Sequence, residues 1–224
     1  MMAEASTVAI VGVGNIGSAL ARHLSRGGES IVLAAKDPAH AEALADELGP
    51  RVRAASVQDA IADADVIVFA LWLDDMKEVI PHQARLLEGK VVVDPSNPVS
   101  FATGSPVRTL PEGQSSASVV ASLLPPGAHY VKAFGTLGAP SLASEALRQP
   151  HRAVLFYATD DEVAATTAEH LIRVAGFDPL KVGGLDEAGR IEMPGGDLHQ
   201  FGANGAILDL EQARAALAGL AQRV

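Results

Sequence analysis

The stretch Thr7-Val-Ala-Ile-Val-Gly-Val-Gly-Asn-Ile-Gly-Ser-Ala-Leu20 runs a β-branched strand into a glycine-rich turn, and the turn opens directly into an amphipathic helix. Gly12, Gly14 and Gly17 fit G-x-G-x-x-G, and each has its own task. Gly12 permits the tight turn, Gly14 lets backbone approach a pyrophosphate, and Gly17 lets the helix pack close to the sheet. The free N–H groups of that helix's first turn, Val13, Asn15 and Ile16 among the residues around them, then face the anion with the positive end of the dipole. A strand over Thr7–Val11, a helix over about Asn15–Ser25 and a second strand over Ser30–Ala35 supply the context the motif requires. This region reads as a dinucleotide site.

Outward from it, strands and helices alternate. Asp37-Pro38 opens a crossover helix that stops at Gly49-Pro50, with Asp37 as N-cap and Pro38 at the first helical position. A short strand at Arg51–Ala54 and a short helix at Ser56–Ala62, with Ser56 and Asp59 as capping pair, come next. Asp65–Leu71 is nearly all apolar, as a strand buried on both faces should be. A helix over Asp74–Leu87, with Pro81 inside it, leads to a strand at Lys90–Asp94. Pro95–Gln114 has no period and reads as a long functional or mobile loop. Ser115–Leu124 is helical, His129–Ala133 and Ala153–Ala158 are strands, and Asp160–Ala175 is a long helix before a last strand at Pro179–Val182. Glu187–Gly205 is irregular, and Ala206–Ala221 is a terminal helix. The fold expected is α/β, a Rossmann doubly wound parallel sheet with a small C-terminal α/β addition. The division expected is a nucleotide-binding domain over 1–135 and a substrate-side extension over 136–224 packed on it.

Composition narrows the function classes. The chain has 224 residues, 48% hydrophobic and 20% charged, so a substantial core is available. With no cysteine, thiol nucleophiles, disulfides and thiolate metal sites are excluded. The seven histidines show no H-x-x-x-H pair, so no metal is expected, and no G-x-S-x-G elbow suggests a serine hydrolase. A formal charge of −10 argues against nucleic acid as partner. It also makes the few cations near a phosphate-rich ligand more important. Met1–Thr7 lacks a basic start and no apolar run approaches ~20 residues, so a cytoplasmic protein without membrane partner is expected.

The residues at the strands' carboxyl ends are the candidates for chemistry. The second strand ends Ala34-Ala35-Lys36-Asp37, placing Lys36 about twenty residues beyond the glycine turn, where a cation meets the 2′-phosphate of NADP and a carboxylate would meet the ribose of NAD. Lys36 and Ala35 read as NADP contacts. Asp37 leaves NAD open through a one-residue shift, its other role being the N-cap. Arg22 and Arg26 read as solvated helix charges. Ala70, Leu71 and Trp72, after the fourth strand, and Pro95 and Asn97, after the fifth, are further cofactor candidates. Ser96, Phe134, Thr136 and Met193 are candidates for the substrate side, and Lys132 is a candidate proton donor, with an ordinary salt-bridge role as the alternative.

Four segments together, Ile10–Leu20, the Lys36 tip, Val91-Val-Val-Asp-Pro-Ser-Asn-Pro98 and Val131-Lys-Ala-Phe-Gly-Thr-Leu137, resemble the NADP-dependent oxidoreductases related to NADPH:F420 oxidoreductase. The resemblance spans nearly the whole chain. It implies NADP as cofactor, the deazaflavin coenzyme F420 as flat redox co-substrate, and commonly a homodimer. It further implies hydride transfer between nicotinamide C4 and deazaflavin C5, which needs proximity and orientation more than a protein acid or base. Phe134-Gly135-Thr136 departs from the more usual Phe-Asn-Thr. Two other readings remain: an NADPH reductase of a small carbonyl, imine or quinone, with Lys132 or water supplying the proton, and a non-catalytic NADP-binding sensor.

Overall fold

In the computed structural model, residues 6–203 and 205–220 are described. The first five residues, and Ala221 of the expected terminal helix, lie outside them. The chain runs β1 (Thr7–Val11), α1 (Asn15–Arg26), β2 (Ser30–Ala34), α2 (Pro38–Leu48), β3 (Val52–Ala54), α3 (Val57–Asp63), β4 (Val66–Phe69), α4 (Leu73–Leu87) and β5 (Val91–Asp94). A hairpin of β6 (Val99–Ser100) and β7 (Val107–Arg108) follows, then α5 (Ser116–Leu123), β8 (His129–Ala133) and α6 (Ala139–Ser144). The last elements are β9 (Val154–Ala158), α7 (Glu162–Val174), β10 (Asp178–Gly183), a 3-10 helix (Leu185–Ile191) and α8 (Leu210–Leu220).

Eight strands form one sheet in the order β10-β9-β8-β5-β4-β1-β2-β3. Alternation along β1 explains its two apolar layers. Val8 and Ile10 enter one cluster with Leu20 of α1, Leu44 of α2 and Leu171 of α7. Ala9 and Val11 enter the other with Ile61 of α3, Ile80 of α4 and Val120 of α5. Burying each large aliphatic side chain contributes about 1.5–3 kcal/mol, so helices are held on both faces. The carboxyl ends of β1, β4, β5 and β8 then lie along one edge, where ligands of such sheets bind.

Several expectations change. The strands from β1 to β8 in the sheet are parallel, but β9 pairs antiparallel with β8 through Lys132↔Ala158, and β10 is parallel to β9. The alternation of elements does not carry through this step: the connection over residues 134–153 holds the six-residue α6 in place of a long crossover helix and returns the chain in the opposite direction. The long loop after β5 is not wholly irregular, since Val99 and Ser100 pair with Arg108 and Val107. The terminal helix begins at Leu210 rather than Ala206: Asp209 Oδ1 accepts from Gln212 N at 2.9 Å and Gln212 Oε1 accepts from Asp209 N at 3.1 Å, a reciprocal cap. The preceding residues serve the sheet instead, as Leu208 O accepts from Val154 N. Asp37 and Ser56 cap α2 and α3 as their spacing suggests, and α4 continues through Pro81.

Candidate functional site

The glycine turn has three distinct geometries. Gly12 has φ +101° and its N–H donates to Ala34 O at 2.8 Å, and a Cβ there would run into Ala70 O. A Cβ on Gly17 would collide with the carbonyl oxygen of Gly12, so only glycine lets α1 start this close to the turn. Gly14 is different, because nothing lies within 4 Å of where its Cβ would be. No packing inside the protein requires a glycine there; the open space is on the ligand side. Gly14 is also the N-cap of α1 and no side chain caps that helix, nor does an acidic residue stand in its first turn. The first-turn amides of Asn15, Ile16 and Gly17 therefore have neither an intrahelical nor a capping acceptor, and an anion fits them.

At the end of β2, Ala35 is half-buried and Lys36 exposed. Asp37 turns its Oδ1 to Ala39 N at 3.1 Å, and its Oδ2 lies 3.8 Å from His40 Nε2. Its carboxylate is thus engaged with the start of α2. Arg22 pairs with Glu47 through both terminal nitrogens, and Arg26 reaches only His23.

The loop after β5 is the most constrained part of the site. Asp94, with no exposed surface, accepts from Ser96 N at 2.7 Å, from Tyr130 OH at 2.7 Å and from Lys132 Nζ at 3.1 Å. Burial, then the Asp94 charge, pushes the Tyr130 phenol well above its ordinary range. The Lys132 ammonium also donates to Ser96 O and, at 2.7 Å, to Ser116 Oγ, and stands 3.7 Å from Glu192 Oε1. Glu192 in turn accepts from Ser116 N and Ala117 N at 2.9 Å, closing the first turn of α5. Lys132 is 1% exposed. Its candidate role as proton donor therefore meets an ammonium whose hydrogens are already committed inside a closed cluster.

Asn97 joins three loops. Its Nδ2 donates to Gly135 O at 3.0 Å and its Oδ1 accepts from Met193 N at 2.8 Å, so both ends of the amide are fixed by protein while, among the described residues, one N–H remains free for a ligand. Ser96 is buried beside Lys132, Phe134 is fully buried at φ +65° within the same apolar cluster as Leu137 and Leu142, and Met193 is 8% exposed. Thr136 is buried as well, and its Oγ1 has no hydrogen-bond partner among the described residues. A Cβ on Gly135 would sit 2.7 Å from Pro95 O, so the loop as it runs here needs glycine at this position. The structure thus brings Ser96, Asn97, Lys132 and Met193 into one network, leaves the Thr136 hydroxyl buried but outside it, and leaves Lys36 and Trp72 exposed.

Four residues of that network escaped the sequence reading: Asp94, Ser116, Tyr130 and Glu192. His199 is a fifth, 1% exposed and accepting from Phe201 N at 3.2 Å. Burial lowers its pKa to about 4, the Lys132 charge adding to the effect and a backbone bond to Gly135 opposing it. Among the described residues no set of His, Asp and Glu is arranged to hold a metal ion, and no helix is long and apolar enough to cross a membrane.

Residues 7–98 match the family NADP oxidoreductase, coenzyme F420-dependent. An F420-dependent NADP reductase of Methanothermobacter thermautotrophicus is 28% identical over 197 residues, 82% of this chain and 83% of that one. The crystal structure of the hypothetical protein SMa0349 from Sinorhizobium meliloti superimposes with a TM-score of 0.76 at 33% identity, covering 92% of this chain and 95% of that one. A structure from Arthrobacter sp. FB24, assigned as an F420-dependent NADP-reductase, gives 0.71 at 24% identity over 89% of this chain and 95% of its own.

Proposed function

The chain belongs to the coenzyme F420-dependent NADP oxidoreductase family, and on that premise we propose that it passes a hydride between NADP(H) and coenzyme F420 at the carboxyl edge of its sheet. The observation that carries the cofactor half is Gly14: an open Cβ position at the mouth of an uncapped helix with no acid in its first turn. The amides of Asn15, Ile16 and Gly17 hold the pyrophosphate there. Lys36 meets the 2′-phosphate, while Asp37 is kept from competing by its bond to Ala39 N. When bound, the nicotinamide supplies a hydride at C4 and the deazaflavin exchanges one at C5.

The protein's part is orientation and exclusion of water. Ala70 and Leu71, past β4, and Pro95, Ser96 and Asn97, past β5, would hold the nicotinamide end of the cofactor, the β5 loop serving as its floor. Asn97 fixes that floor to Gly135 and to Met193 on the far wall. Asp94, Lys132 and Glu192 are assigned to holding this floor rather than to moving a proton, because their polar atoms are already matched to one another. Among the described residues, the hydroxyl of Thr136 is the one buried side-chain polar atom without a hydrogen-bond partner.

The test is an absorbance experiment with purified protein, NADPH and oxidised F420, following both chromophores. Coupled loss of the nicotinamide and deazaflavin bands at an enzymatic rate is expected. Binding of NADPH with neither band moving would overturn the F420 assignment.

A further inference from the structure

The chain has one tryptophan, two tyrosines and six phenylalanines. Both tyrosines and four of the phenylalanines are buried. The remaining three, Trp72, Phe101 and Phe201, are 58%, 48% and 59% exposed; Trp72 and Phe101 touch and line one recess, whereas Phe201 packs on His199. Trp72 lies just past β4 and Phe101 follows β6, in the loop that leaves β5. Phe201 lies against Gly138, where a Cβ would come within 3.2 Å of its Cζ, beyond β8. Large apolar side chains left exposed and gathered on one surface mark a binding site.

Trp72 occupies a position that gains nothing locally from tryptophan. It is the N-cap of α4, yet it makes no side-chain capping bond, where Ser, Thr, Asp or Asn would stabilise the helix start. Its ring instead meets Phe101 edge to face, with centroids 6.4 Å apart and planes at 63°. Next to the pair is a recess of about 300 Å3, walled by Leu73, Val99 and Ala102, at the small end of the range for ligand pockets. Asp74 on its border is engaged by Lys77 at 2.8 Å. Ser100 and Thr109 add two hydroxyls to a wall that is otherwise apolar and aromatic, suited to a flat fused ring with polar edges.

We propose that Trp72 and Phe101 form a stacking subsite for the fused-ring system of the second substrate, outside the NADP-binding turn. This rests on the hydride-transfer reading above and names the surface that selects its ring partner.

The experiment measures binding of 8-hydroxy-5-deazariboflavin and of riboflavin, by their visible absorbance in equilibrium dialysis, to wild type, Trp72→Ala and Phe101→Ala, with NADPH affinity measured in parallel. Both side chains are half exposed, so both variants should fold; circular dichroism checks this. Each variant is expected to weaken ring binding by about three- to tenfold, the scale of one aromatic contact, while NADPH affinity stays within about twofold. No ring binding by wild type, unchanged ring binding in both variants, or an equal loss of NADPH affinity would each overturn the proposal. So would loss of self-association with unchanged ring binding, which would give the patch to a second copy of the chain. Failure of hydride transfer with ring binding intact would sink the catalytic reading and leave this subsite standing; transfer and KM for the ring partner unchanged in both variants would do the reverse.

Discussion

Glu192 holds Ser116 across 76 residues of chain: its Oε2 accepts from Ser116 N at 2.9 Å and its Oε1 from Ser116 Oγ at 2.7 Å. Neither residue has exposed surface. Through this contact the segment carrying Met193 is fastened to the first turn of α5, and through Lys132 to the loop after β5.

Glu192→Ala removes a buried acceptor set and leaves the Lys132 ammonium with Asp94 as its remaining carboxylate. A loss of about 3–5 kcal/mol is expected, the scale for breaking a buried ion pair. Glu192→Gln keeps one oxygen acceptor but sets its NH2 against one of the two backbone N–H groups, so it should cost less than Glu192→Ala while still destabilising. Urea denaturation of the two variants decides the matter: equal losses would mean that the charge, not the hydrogen bonding, holds the segment.

Gly14 and Gly17 should separate binding from folding. Gly14→Ala meets open space at an ordinary φ of −70°, so its thermal midpoint should match wild type while NADPH affinity falls by at least about tenfold. Gly17→Ala drives a methyl into Gly12 and should lose both stability and binding. Calorimetric titration and melting of each variant provide the check.

Lys36→Ala should raise the Kd for NADPH by about tenfold or more, as for a charge-assisted contact to phosphate, and leave NADH nearly unchanged. Asp37→Ala should cost about 1 kcal/mol of stability as a lost cap without reversing the preference. An NADPH-to-NADH ratio that does not fall in Lys36→Ala would remove the lysine from the site.

His199 makes stability pH-dependent. Its pKa is about 4 when folded against about 6.5 when unfolded, so the unfolded chain binds the proton first. Its contribution is fully present above about pH 6.5 and is lost as pH falls toward 4, on the order of 3 kcal/mol in all. The difference in urea midpoint between wild type and His199→Gln should shrink across that window. A difference independent of pH would show that His199 does not titrate there.

The legible parts of the molecule were those whose cause is local. The Gly12–Gly17 spacing, the Asp37 and Ser56 caps and the apolar runs of β4 and β5 each carry their reason within a few residues. The direction of β9 does not, because Val154–Ala158 reads alike whichever way it runs and the connection before it is long enough for either. Glu192 escaped for a related reason: its hydrogen-bond partners Ser116 and Ala117 are more than seventy residues away and no short pattern marks an acid that will cap a distant helix. The Asp209–Gln212 cap is a different case, since its four-residue spacing was present in the sequence and moves the start of α8 by itself.

The reversal at β9 means that the polypeptide reaches the ligand edge by two unrelated routes. Forward strands deliver the glycine turn, the β4 tip and the β5 floor, whereas Met193 and His199 arrive on chain that has travelled to the opposite edge along β9 and β10 and come back. One half of the cleft is consequently written in a stretch of sequence that can be exchanged as a cassette. A graft of residues 184–203 from a relative leaves every residue from Thr7 to Phe69 untouched, and its success would depend on keeping the joints to the strands and loops around it, among them Asn97 with Met193, Ser116 and Lys132 with Glu192, Arg108 with Pro194, and Gly138 with Gln200.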